Sequence, residues 1–142
     1  MPILLLAACD TLPRDTDGTL DRVRAAHEVR IGMTDEFRVS RPAIDSLVRH
    51  VSAAADARAM MVRGTAEPLL AALEEGQVDL VIGAWIEKTP WTTDVSLTPP
   101  IARRMVGETV LELRGAVRNG ENRWAMLVEH AARETAKQAH GR

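Results

Sequence analysis

Residues 64–83 read Gly64-Thr65-Ala66-Glu67-Pro68-Leu69-Leu70-Ala71-Ala72-Leu73-Glu74-Glu75-Gly76-Gln77-Val78-Asp79-Leu80-Val81-Ile82-Gly83, and this stretch decides the fold. Thr65 is a good N-cap, Glu67 sits where the helix dipole favours an acid, and Pro68 costs little in a first turn. Leu69, Leu70 and Leu73 form a buried stripe, and Gly76 is placed to end the helix as its left-handed C′ residue. Val78 to Gly83 then forms the most apolar run of the chain. It predicts a central strand covered on both faces, with Asp79 marking its start.

Working outward, the same alternation repeats on the N-terminal side. Ala57 to Arg63 reads as a strand stopped by Gly64, and Pro42 to Ala55 as a helix with Ile44, Leu47, Val48 and Val51 at helical spacing. Thr34 to Arg41 is a polar loop carrying the single Phe, and Glu28 to Met33 alternates as a strand. Leu20 to Ala26 predicts a short helix with Asp17 or Thr19 as N-cap. On the C-terminal side, Trp85 to Thr93 reads as a loop and Val95 to Leu97 as a short strand before the Thr98-Pro99-Pro100 break. Thr109 to Val117 reads as a further strand, and Glu121 to Lys137 as a closing helix with Trp124 on its apolar face. The fold class is therefore α/β, a three-layer αβα arrangement with a mostly parallel sheet and right-handed crossovers. Ligands on such sheets bind beyond the carboxyl ends of the strands.

Composition narrows the function classes. With 142 residues, 46% hydrophobic and 27% charged, the chain has room for one globular domain and a core of ordinary size. Its 18 basic and 20 acidic residues are well mixed, so no basic block tracks phosphates and no nucleic-acid partner is expected. The four histidines show no metal-ligand spacing, and the chain carries no nucleophile elbow, phosphate loop or dinucleotide fingerprint. No catalytic residue, cofactor or metal site is expected, and the protein reads as non-enzymatic. Met60, Met61, Met105 and Met126 read as core filler.

The N-terminus points to export. Ile3-Leu4-Leu5-Leu6-Ala7-Ala8 is an apolar run ending in small residues directly before Cys9, too short to span a bilayer, which takes roughly 20 apolar residues. It reads as the end of a signal h-region, although no Lys or Arg precedes it. The rival reading is an incidental cysteine in a buried N-terminal strand. Leu6-Ala7-Ala8-Cys9 resembles the bacterial lipobox, which implies lipidation at Cys9 and a membrane lipid anchor. Asp10 after that cysteine resembles the signal for retention in the inner membrane, so the implied location is periplasmic. The organisation reads as signal end and lipobox 1–9, polar tether 10–19, a single lobe 20–137, and a tail 138–142.

The stretch 64–83, together with the strand Val29 to Met33, resembles the first lobe of type II periplasmic solute-binding proteins, the amino-acid-binding family of ABC uptake systems. That family shows a helix ending in Ala-Leu-x-x-Gly, then x-x-Asp, then an apolar strand running to a Gly. Thr98-Pro99-Pro100-Ile101 is similar to the family's Thr-x-Pro-Tyr/Phe, where the chain leaves for a second lobe. Arg114 to Asn122 is similar to the segment where it returns. Only residues 102–113 lie between these points, where the family inserts a whole lobe, so a single lobe is expected. The family also follows the central strand with Thr-x-Glu-Arg, the Arg clamping a ligand carboxylate. Thr89 fits the Thr, and Trp91 stands where the Arg would be.

The resemblance implies a small polar solute, amino-acid-like or cationic, and a membrane transporter or sensor as partner. The expected ligand-binding residues are Thr34, Asp35 and Phe37 after the first strand, and Trp85, Thr89 and Trp91 after the central one. Indole faces suit stacking on flat or cationic groups; the rival reading is that Trp85 and Trp91 cover the open end of the sheet or face a partner. A lone lobe leaves one side of its ligand in water, so tight binding requires a second wall, for which a homodimer is one source. The competing function is an interaction lobe that binds no ligand and docks on a membrane partner or on itself.

Overall fold

A computed structural model describes residues 12–35, 40–86 and 95–141. The element order is α1 (Thr19–Ala26), β1 (Glu28–Thr34), α2 (Arg41–Ala55), β2 (Arg58–Gly64), α3 (Ala66–Glu74), β3 (Leu80–Ile86), β4 (Val95–Leu97), β5 (Ala102–Val106), β6 (Thr109–Arg118) and α4 (Asn122–His140). The strands form one sheet in the order β2-β1-β3-β6-β4, with β5 also on β6. β1 pairs in parallel with β2 and β3, whereas β6 is antiparallel to β3, β4 and β5. Among the described residues five strands therefore share one direction and β6 opposes them.

The sheet is covered on both faces, which is why β3, at its centre, is the most apolar segment. Val29, Ile31, Leu80, Ile82 and Leu113 pack beneath α1, α2 and α4. Val81, Ala116 and Trp85 face Leu69, Leu70 and Leu73 of α3. Gly32 lets α3 approach β1: a Cβ there would stand 3.0 Å from Leu69 Cδ2. Gly76 takes the left-handed conformation expected of it, with φ 74°. Thr65 holds the N-cap position of α3, though its side chain makes no capping bond.

Several local expectations change. The start of α1 is held by neither Asp17 nor Thr19. Asp15 Oδ2 accepts from the Leu20 N–H at 2.9 Å, and Gly18 is the N-cap residue. The second half of the segment read as tether is tied down. Thr16 N–H donates to Gly120 O, the Asn122 N–H to Arg14 O, and the buried Glu121 carboxylate accepts from the Asp17 N–H and the Thr19 hydroxyl. β3 runs on to Ile86 because Trp85 and Ile86 find antiparallel partners in Glu112 and Leu111. The methionines named as core filler are 42–61% exposed: Met60 and Met61 lie on the edge strand β2, Met105 near the tip of the β5–β6 hairpin and Met126 on the outer face of α4.

That hairpin explains the single lobe. β4 and β5 lie end to end along the same side of β6, interrupted by Thr98-Pro99-Pro100. Val106 and Thr109 pair directly, with Gly107 at φ 61° in the turn. The chain thus leaves after Thr98 and returns at once. Thr98 is clasped in place: its hydroxyl accepts from the Gly115 N–H at 2.9 Å, and Arg114 donates to its carbonyl at 2.8 Å.

Candidate functional site at the carboxyl edge of the sheet

The carboxyl ends of β1, β2 and β3 lie along one edge, and α2 and α3 both begin there. Their N-terminal dipole ends favour negative charge at that edge. On the α2 side the edge holds a cleft of about 400 Å³, within the usual range of small-molecule sites. Met33, Ile44, Val48 and Met61 supply apolar walls. Four charged side chains share the cleft: Asp35 just after β1, Arg41 and Asp45 in the first turns of α2, and Arg63 near the end of β2. Among the described residues no hydrogen bond or ion pair engages any of these four side chains.

On the α3 side, two buried polar atoms lack a partner among the described residues: Thr34 Oγ1 and Trp85 Nε1. Thr34 is 5% exposed and Trp85 4%. They meet over Gly83. A Cβ on that glycine would stand 3.2 Å from Thr34 Oγ1 and 3.2 Å from Trp85 Cζ2, the ring carbon beside the one that bears Nε1. A buried hydroxyl and indole N–H are almost always satisfied, so an unspent pair at a strand end is an arrangement that a ligand can complete. Thr34 belongs both to this pair and to the cleft.

Of the residues singled out from the sequence, the structure brings Thr34 and Asp35 to the cleft. Trp85 lies in β3 rather than in a loop, and its ring packs into the α3-side core. It is therefore no surface platform, and only its N–H is unspent. Phe37, Thr89, Trp91, Cys9 and Asp10 lie outside the described residues. Sequence reasoning missed Arg41, Asp45, Met61 and Arg63, which converge only because α2 crosses back over the β1–β2 edge. Their one signal was position, just beyond or within elements that end at the binding edge.

Two further charge clusters are structural. Asp79, with its side chain 1% exposed, accepts from the Arg30 N–H at 2.9 Å and pairs with Arg30 and Arg22 at the opposite end of β3. Trp124 Nε1 donates to its carbonyl at 2.7 Å. Glu112 binds Arg103 through Oε1 at 2.8 Å and Arg114 through Oε2 at 2.9 Å. Burial pushes its pKa up, but the hydrogen bonds and charges of both arginines more than offset this, leaving it below the ordinary value of 4.5.

Neither a protein-family profile nor a curated protein sequence matches the chain. Solved structures do. The arginine-bound form of domain 1 from TmArgBP superposes with a TM-score of 0.67 at 16% identity, over 80% of this chain and 98% of that one. The chain has the fold of one lobe of a type II periplasmic binding protein. An arginine-bound amino-acid ABC transporter substrate-binding protein from Streptococcus pneumoniae matches this lobe with a TM-score of 0.69 at 6% identity, covering 85% and 93% of the two chains. An ancestral amino-acid-binding protein, described as a precursor of cyclohexadienyl dehydratase, matches at 0.68 and 12% identity, covering 85% and 94%.

Proposed function

We propose that this lobe is a non-enzymatic solute-binding module for a small zwitterionic solute, amino-acid-like and cationic, held at the carboxyl edge of its sheet. The observation that carries the reading is the cleft, whose apolar walls share their space with charges of both signs that no described residue pairs. Asp35 and Asp45 suit an ammonium or guanidinium group. Arg41 and Arg63 suit a carboxylate, by the bidentate geometry that makes Arg the usual carboxylate reader. They supply the cation that the sequence lacks at Trp91. Thr34 and Trp85 add a hydroxyl and an N–H at the same edge. The likeness to arginine-bound proteins supports this class of solute, and domain 1 of TmArgBP is arginine-bound as a lone domain.

In this reading the lobe is extracytoplasmic, anchored by lipid on Cys9 with Asp10 favouring the inner membrane, and serves a membrane transporter or sensor. The residues expected from the sequence, Thr34, Asp35, Phe37, Trp85, Thr89 and Trp91, are proposed to serve this solute, Phe37, Thr89 and Trp91 lying outside the described residues. The test is a thermal-shift screen of the twenty amino acids and simple polyamines, followed by calorimetric titration of any hit. Binding of a cationic amino acid that weakens on Asp35→Asn is expected. Indifference to every compound would overturn the solute reading and leave the interaction lobe in its place. For the anchor, labelling with a fatty acid in the expressing bacterium is expected to fail on Cys9→Ala; undiminished labelling would overturn it.

A further inference from the structure

β2 is the outermost strand, and among the described residues it pairs with β1 alone. The Arg58 N–H donates to His27 O, so the backbone groups of Arg58, Met60, Val62 and Gly64 point toward β1. Those of Ala59, Met61 and Arg63 therefore point outward along an edge that no described residue pairs with. Natural sheets guard such edges with central charges, prolines or bulges. Here the middle of the strand is Met60-Met61-Val62, exposed at 42%, 44% and 46%.

We infer that β2 pairs with β2 of a second copy of this chain, antiparallel across a twofold axis at Met61, and that the partner's strand walls the open side of the cleft. The register follows from the outward-facing groups. Centring on Met61 makes Met61 and the partner's Met61 a hydrogen-bonded pair, with Ala59 opposite the partner's Arg63 on either side. Met60 then faces the partner's Val62 on the other side of the sheet. Arg58, already paired with Glu28 at 3.1 Å, falls opposite the partner's Gly64. No like charges stand directly opposite each other, which in an antiparallel pair would oppose association.

The axis also joins the dimer to the site. Ala59, Met61 and Arg63 share a sheet face with Val29, Ile31 and Met33, their register partners on β1, and Met61 and Arg63 line the cleft. In the pair the partner's Met61 stands on this same face beside Met61, with Cα atoms about 5.5 Å apart, and so walls the cleft on the side that a lone lobe leaves open. The dimer stands on the strand edge alone. Only the closing of the cleft rests on the solute reading.

The test uses the full chain carrying Cys9→Ser. Light scattering over a wide concentration series should show the mass rising from 15.6 kDa toward twice that value. Met61→Lys should hold it at one chain, since its side chain meets its own copy at the axis while the N–H and C=O groups bonded to β1 are untouched. Met61→Cys should form a disulfide dimer under mild oxidation, because Cα atoms of a hydrogen-bonded pair stand about 5.5 Å apart. Met126→Cys, more exposed than Met61 but on α4, should not. A single-chain mass at every concentration, association indifferent to Met61→Lys, or equal cross-linking at 61 and 126 would overturn the dimer. A dimer confirmed by these measures that binds no solute would sink the solute reading alone. Solute bound as tightly by the Met61→Lys monomer as by the dimer would remove the partner's wall.

Discussion

Thr34→Val is the substitution in which stability and binding should part company. The Thr34 hydroxyl is buried and has no partner among the described residues, and leaving such a group unsatisfied costs about 1–3 kcal/mol. Valine keeps the branched shape and removes the oxygen, so the surrounding contacts with Gly83 and Trp85 survive. Repacking of the new methyl against a site that a Gly83 Cβ would approach at 3.2 Å takes back part of that gain. A net stabilisation of about 1 kcal/mol is expected, or roughly 2–5 °C in Tm for a domain of this size. Differential scanning calorimetry without solute reads it directly, and calorimetric titration should show the same variant binding its solute more weakly. A Thr34→Val protein that melts several degrees lower would mean that the hydroxyl is already satisfied in the folded lobe, and the binding role drawn from its isolation would fall with it.

Gly83→Ala should destabilise by about 1–3 kcal/mol in denaturant titration, because the new methyl meets Thr34 and Trp85 at 3.2 Å in a packed strand; a neutral result would mean that the Thr34–Trp85 corner is loose. Asp79→Ala should cost about 2–4 kcal/mol, as it orphans the Arg30 N–H and separates Arg22 and Arg30 from their shared partner, and it should leave solute affinity unchanged because Asp79 sits at the far end of β3. The pKa of Glu112 is lowered in the folded state, so its contribution is complete above the unfolded value near 4.5 and is lost as pH falls through the folded one. Glu112→Gln should therefore flatten the acid limb of a stability-against-pH curve below that value, and an unchanged limb would refute the cluster's role.

The helices and the first three strands are legible in the sequence because their residues answer to neighbours in the chain. Leu69, Leu70 and Leu73 repeat at helical spacing, and Gly76 ends their helix for a local reason. Features set by pairing across the sheet are not legible in that way. β5, Ala102 to Val106, carries two consecutive arginines and no alternation, and becomes a strand only because β6 folds back on it. β6 opposes the other strands since a hairpin, rather than a crossover helix, precedes it. Met60 and Met61 read as core because apolar character does not say which strand lies at the edge. The same limit governs the site. Thr34 and Asp35 follow from their place after β1, but the isolation of the Thr34 hydroxyl and the gathering of Arg41, Asp45 and Arg63 depend on burial and on the path of α2.

The central claim, that the carboxyl edge of this lobe holds a solute, is tested most directly by following the three tryptophan indole N–H signals in a nitrogen–proton NMR correlation spectrum during titration with L-arginine. The account predicts that the Trp85 signal, assigned through Trp85→Phe, moves in a saturable way as its N–H, which has no partner among the described residues, gains an acceptor. Trp124, whose N–H is already bonded to Asp79 O, should stay still. A Trp85 signal that stays fixed with arginine and with every other amino acid tried would contradict the account.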